Sequence, residues 1–172
     1  MAFKIPEAIH GFNVYNDTNK VIGITGNVEL PSFAYQTNNV SLAGMPGEYE
    51  AAIVGHIGSQ KLKLPFIQVE KDEFFDMVKG EKPIVIRSNM QVRDVDTNKV
   101  DFESMVITIK GSTIEYELGT LEKGKQMSAS ITKELTYIKV VIENKICLEY
   151  DKFNNVYIIN EVDMFEKVRK NL

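Results

Sequence analysis

The sequence predicts an α+β protein, mainly an antiparallel β sandwich or barrel, with a short helix in mid-chain, a second helix at the C-terminal end and one long loop. Three features of the 172 residues lead there. Apolar and polar residues alternate along most of the chain, the period of strands with one buried face. Turn-forming clusters separate the alternating stretches. Helical spacing appears only twice, so there are no repeated strand–helix–strand units of the kind that build a parallel sheet.

Phe12-Asn-Val-Tyr15 alternates, Asn16–Asn19 reads as a turn, and Val21–Thr25 resumes the alternation, which predicts a hairpin. Gly26 permits a turn before Val28-Glu-Leu30, and Pro31 ends that strand. From Ala34 to Ser59 the alternation dissolves, and Gly44, Pro46, Gly47, Gly55 and Gly58 punctuate a long loop. Loops of this length in compact domains are usually functional or disordered. This one keeps Leu42, Met45, Tyr49, Ile53, Val54 and Ile57, apolar residues that solvated disordered segments generally lack.

Lys61–Leu64 alternates again. Asp72 is placed to cap a short helix with Phe74, Phe75 and Val78 on one face, stopped at Lys79-Gly80. In Ile84–Arg93 the even positions are mostly apolar, while Arg87, Asn89, Gln91 and Arg93 line the other face. Met105–Ile109 is the next strand, and Gly111-Ser112 reads as a turn into Thr113–Leu118. Glu122–Lys125 turns into a long strand from Gln126 to about Ile142, and Glu143-Asn144 turns into Ile146–Tyr150. Asn154-Asn155 precedes Val156–Ile159. Asn160 then caps a final helix with Glu161 and Asp163 in its first turn, Lys167, Arg169 and Lys170 in its last, and Phe165, Val168 and Leu172 as its apolar stripe.

A chain of this length can bury roughly 70% of its unfolded surface and needs no disulfide or metal to fold. The net charge of −4 comes without a basic stripe, which excludes a duplex-DNA binder that holds phosphates. Cys147, the single cysteine, sits in a strand-like pattern and reads as a buried or edge thiol. Met1–Pro6 has no signal-length apolar core, and no apolar run approaches the ~20 residues of a membrane span. The chain is therefore expected to be made and folded in the cytoplasm.

No motif rises to an enzyme or metal signature. Asp94–Asp101 spaces acidic and amide groups as a calcium loop begins, but Lys99 stands where the essential glycine belongs and Met105 where the bidentate glutamate belongs. A turn between strands accounts for it. His10 and His56 sit beside glycines and find no third ligand with Cys147. The glycine-rich stretch Gly44–Gly58 has neither of the phosphate-binding patterns. Glu115 and Glu117 share a strand face, which solvation explains without glycosidase chemistry. Catalytic residues, cofactor and metal are accordingly expected to be none.

Four stretches, in order and spacing, carry a resemblance. They are Lys4–Glu7 with Phe12–Tyr15, Val28–Ser32, the loop Ala43–Glu48 continuing to Gly55–Ser59, and the ending Ile159–Leu172. Together the chain resembles the major tail tube proteins of contractile-tailed phages (the FII family), found also in phage-tail-like bacteriocins. The ending departs from the family at Glu161, where a glycine is expected. The resemblance implies one tube domain over residues 1–172, hexameric rings, and their stacking into a rigid hollow tube inside a contractile sheath. It implies sheath, tape measure and baseplate proteins as partners, DNA as passing cargo in a phage, and a target membrane reached by the assembled tube. It implies assembly in the host bacterial cytoplasm and residence in a virion tail or a released tail-like particle.

Within that resemblance, the loop from about Ser41 to Ser59 is expected to make the ring-to-ring contact through Leu42, Met45, Tyr49, Ile53 and Val54. The strand face of Arg87, Asn89, Gln91, Arg93, Glu115 and Glu117 is the candidate lumen or inter-subunit face. The two arginines there are expected to meet a neighbour or to be balanced by Glu115 and Glu117, leaving the lumen acidic or weakly charged. A monomeric β-barrel that binds a small ligand is the alternative reading.

Overall fold

The alternating stretches fold as strands of one antiparallel sheet. The computed structural model describes residues 3–171. In chain order these form β1 (Lys4–Asn16), β2 (Asn19–Lys20), β3 (Tyr35–Val40), β4 (Tyr49–Ile57), β5 (Lys61–Phe66), α1 (Glu73–Lys79), β6 (Ile84–Asp94), β7 (Val100–Glu117), β8 (Ala129–Ile142), β9 (Lys145–Asp151), β10 (Val156–Ile159), β11 (Val162–Asp163) and α2 (Glu166–Asn171). Nine strands share one sheet in the order β11-β10-β9-β8-β7-β6-β1-β2, with β5 pairing a second stretch of β8. β3 and β4 pair only with each other.

Local chemistry sets the connections. Asp94 Oδ1 accepts from the Thr97 amide and hydroxyl at 2.8 and 2.9 Å, which closes the β6–β7 turn and puts the acidic run to structural use. Glu143 and Asn144 have φ of 46° and 63°, the two-residue turn whose twist suits a hairpin, and join β8 to β9. Gly80, at φ 77°, ends α1. The core lies between the sheet and the β5–α1 segment. Leu62, Leu64, Phe66, Ile84, Ile109 and Ile131 are buried there with Phe74 and Met77 of α1. The Phe66 and Phe74 rings meet edge-on at 5.1 Å. Asn16 and Lys82 both donate to Asp76, at 3.0 and 2.8 Å, tying α1 to β1.

The structure corrects several expectations. The stretch Ala34–Ser59 is not an open loop: β3 and β4 make a two-stranded arm closed by residues 41–48. Its alternation was hidden because the arm is buried only at its base, at Gly55 and Ile57, so little selects apolar residues at every second position. Gly111-Ser112 is not a turn, since β7 runs unbroken for 18 residues and Gly111 sits at a bulge with β8. Val21–Thr25 adds only an isolated bridge from Ile24 to Phe66, and Glu29 one to Lys63. The buried face of α1 is Phe74 and Met77, while Phe75 is exposed, and Asp72 makes no side-chain cap.

At the C-terminal end, Asn160 and Glu161 (φ 49° and 67°) are the hairpin turn from β10 to β11, not a helix cap. Helix α2 begins only at Glu166 and buries no residue. Asp163 accepts from the Phe165 amide at 2.9 Å, Phe165 packs on the core, and Val168 is exposed. Leu172 lies outside the described residues.

Candidate assembly surfaces

The arm is held at its base and free at its tip. At the base, the Tyr35 and Tyr157 hydroxyls pair, and Tyr150 donates to the Gly55 carbonyl at 3.4 Å. Burial, joined by the neighbouring hydroxyl, raises the Tyr157 phenol well above its ordinary value, so Tyr157 stays neutral at physiological pH. Gly55 has φ +75° and lies in a bulge of β4, where Ile53–His56 oppose only Gln36. A Cβ on Gly55 would stand 1.9 Å from the Phe165 ring. Gly55→Ala is therefore expected to push Phe165 out and loosen the arm while the main sheet persists. Amide hydrogen exchange should rise across β3 and β4 with little change in β6–β8, and unaltered protection of the arm would refute the clamp.

Toward the tip every residue from Ser41 to Glu50 is exposed. Leu42 is 62%, Met45 39%, Tyr49 54%, Ile53 40% and Val54 50% exposed, so the structure gathers all five apolar positions on one unpartnered arm. Isolated exposed apolar residues are ordinary, but five on one hairpin make it a candidate assembly surface.

The polar face is built by β6. Arg87 and Asn89 are exposed and Gln91 and Arg93 half-buried, all on the side away from Ile84, Ile86 and Val92. Glu115 and Glu117 do not join them. β6 last meets β7 at Ile84↔Ile109, and both glutamates lie farther along, beside Thr132 and Ser130 of β8. At ~3.3 Å per residue, Glu115 is roughly 30 Å from Val106, the partner of Arg87. The balance is local instead. Arg93 pairs with Glu7, whose carboxyl is held below its ordinary value by hydrogen bonds from Arg93 and then Gln91. Glu117 accepts from Ser130 at 2.8 Å and pairs with Lys63 at 3.5 Å, which also lowers it. Arg87 lies over the Tyr15 ring, Lys110 over Tyr137, and Lys139 pairs with Glu149 at 3.2 Å.

Glu7 was not singled out from the sequence. It occupies a bulge of β1 between Pro6 and Ala8, and a bulge turns a side chain onto a face that strict alternation would not assign it. Cys147 is half-buried on β9, His10 stacks edge-on with Phe102 at 5.1 Å, and His56 is exposed on the arm. Among the described residues no group of three His, Cys, Asp or Glu could hold a metal ion.

The family model of phage tail tube protein FII matches residues 6–172. No curated protein matches significantly. Among solved structures, the chain is similar to the sheath/tube terminator of the PVC extracellular contractile injection system in the extended state. The identity is 15% and the TM-score 0.56, covering 80% of this chain and 96% of that one. It is also similar to a chain of the PVC sheath–tube complex in the extended state, at 16% identity and a TM-score of 0.53, covering 80% of this chain and 90% of the other.

Proposed function

The chain belongs to the phage tail tube protein FII family, and we propose from this that it is the repeating subunit of hexameric rings stacked into the hollow inner tube of a contractile injection machine. The family is structural, not enzymatic. All of residues 1–172 serve as one tube domain. A sheath surrounds the tube, tape measure and baseplate proteins set its length and end, and contraction drives it into the target envelope. In a phage its lumen then passes DNA.

One observation supports this above the others: the main sheet is open at both sides. Among the described residues no strand pairs with the outer side of β1 from Lys4 to Asn13, because β2 pairs only with Tyr15 and Asn16. At the far side β11 covers only Ile158 and Ile159 of β10. Two open edges on one sheet invite pairing between copies, and a ring removes both. The polar face then turns inward. Its cations are matched by carboxylates or rings, so a passing polyanion meets few free positive charges and is not held.

Negative-stain images of the purified protein, alone and with other tail components, test the proposal. Rings or tubes are expected. A strict monomer in sedimentation at high concentration, with no rings in either preparation, would overturn it and favour the monomeric carrier.

A further inference from the structure

An apolar groove of about 900 Å³ opens between β1 and the segment 21–30. Phe12 and Val14 form one wall, Ile22, Ile24 and Val28 the other, and Ile107 of the sheet lies at its floor. No residue of the β3–β4 arm lines it, so the chain does not fill its own groove. Ser88, 7% exposed, also lines it with a hydroxyl that has no hydrogen-bond partner. A subunit on its own thus leaves the site incomplete.

We propose that this groove is the socket for the arm tip of a second copy of the chain. The inference deepens the tube reading and rests on it. The first support is charge. Leu30–Gly47 contains no charged residue in a chain that is 26% charged, and Val21–Val28 of the groove wall contains none. A solvated tip has no reason to avoid charge over that span, whereas a tip that enters a mainly apolar groove, with Lys20 its one charged lining residue, must, since each unpaired charge would lose its hydration there. The second is shape. Leu42 and Met45 stand at a turn closed by the Met45 amide and Leu42 carbonyl at 3.0 Å. The six residues of β3 carry that turn roughly 20 Å beyond the clamped base at ~3.3 Å each. The third is topology. A knob and a socket on different parts of one chain make a heterologous contact, which repeats without limit along an axis, as stacked rings require.

Cross-linking tests the socket directly. In a Cys147→Ser background, Met45→Cys with Ile22→Cys should give a ladder of covalent multimers on a non-reducing gel after assembly and mild oxidation, while either single replacement gives dimers at most. Normal tubes without a ladder would overturn the socket and leave the tube reading standing. A ladder appearing instead with Val162→Cys and Ile22→Cys would assign the groove to the neighbour's β11 edge and also overturn it. Absence of tubes from the Cys147→Ser protein itself, under conditions where the unsubstituted chain forms none, would count against the tube reading. The unsubstituted protein gives an independent measurement. A contact between an uncharged tip and a mainly apolar groove should keep tube yield within about twofold from low salt to about 1 M sodium chloride, where ionic contacts are screened. Loss of tubes with rising salt would overturn the proposal.

Discussion

Replacing Met45 and Tyr49 together with Asp is expected to abolish tubes while leaving the subunit folded. Both residues sit on the arm, 39% and 54% exposed, and neither belongs to the core. Exposed substitutions of this kind change stability by about 0.5 kcal/mol or less, so the melting curve of the variant should overlay that of the parent. In a stacked assembly the same positions lose water. An unpaired carboxylate taken out of water costs several kcal/mol, and the penalty recurs at every subunit of every ring. The clamp at Tyr35, Tyr157 and Gly55 is remote from the two substitutions along the arm, so β3 and β4 should keep their pairing. Sedimentation and negative stain separate the outcomes: monomers or single rings are expected. Tubes of normal length from the double variant would show that the arm is not the stacking element.

The parts of the fold legible in the sequence were those where burial imposes a pattern. In β6 the core side takes Ile84, Ile86 and Val92, so its alternation and its polar face could be read directly. The Glu143-Asn144 turn was legible from local chemistry, because a two-residue hairpin demands positive φ and Asn144 is of a type that adopts it. The arm was not legible as strands, since most of its residues are exposed in the subunit and burial imposes no alternation on them. What could be read was its composition, apolar residues in a glycine-rich stretch, and that made it a candidate surface even though its secondary structure was misassigned. Lys133 was invisible for the opposite reason. It is 2% exposed in the middle of β8, with its ammonium beside Gly80 at the end of α1, and burial lowers its pKa. A charged residue in an alternating strand is read as outward-facing, but a long aliphatic stem can run through the core and set its ammonium near the C-terminal end of a helix.

The pairing of charges on the polar face failed in the sequence reading through distance, not chemistry. Carboxylates balance Arg93 and Lys139, while Arg87 and Lys110 lie over tyrosine rings. The partner of Arg93 is Glu7, from a strand far away in sequence and adjacent in the sheet. Register between strands that are distant in the chain decides such contacts, and one-residue bulges at Glu7 and His10 shift it twice within β1.

Gly111→Ala is expected to cost about 3 kcal/mol of subunit stability, a large effect for one methyl group. The reason lies in the longest strand. β7 pairs with β6 through Ile109 and with β8 on its other side through Glu117, so it holds the two halves of the sheet together. Between Lys110 and Gly111 its register on β8 slips from Tyr137 to Leu135, leaving Thr136 bulged with its hydroxyl donating to the Lys110 carbonyl at 3.3 Å. A Cβ on Gly111 would lie 2.1 Å from the Glu134 carbonyl oxygen and 2.9 Å from its carbon. These are backbone atoms, so no rotamer change relieves the overlap, and β7 and β8 must part where Ile109 and Leu135 are buried. A loss of about 3 kcal/mol lowers the melting temperature of a chain this long by roughly 6–12 °C. Gly58→Ala is the matched control, because a Cβ there meets nothing within 4 Å and its φ is not positive. Thermal and urea melts of both variants should separate them clearly. Equal midpoints would mean that the bulge absorbs a side chain and that close strand approach is not what requires glycine at position 111.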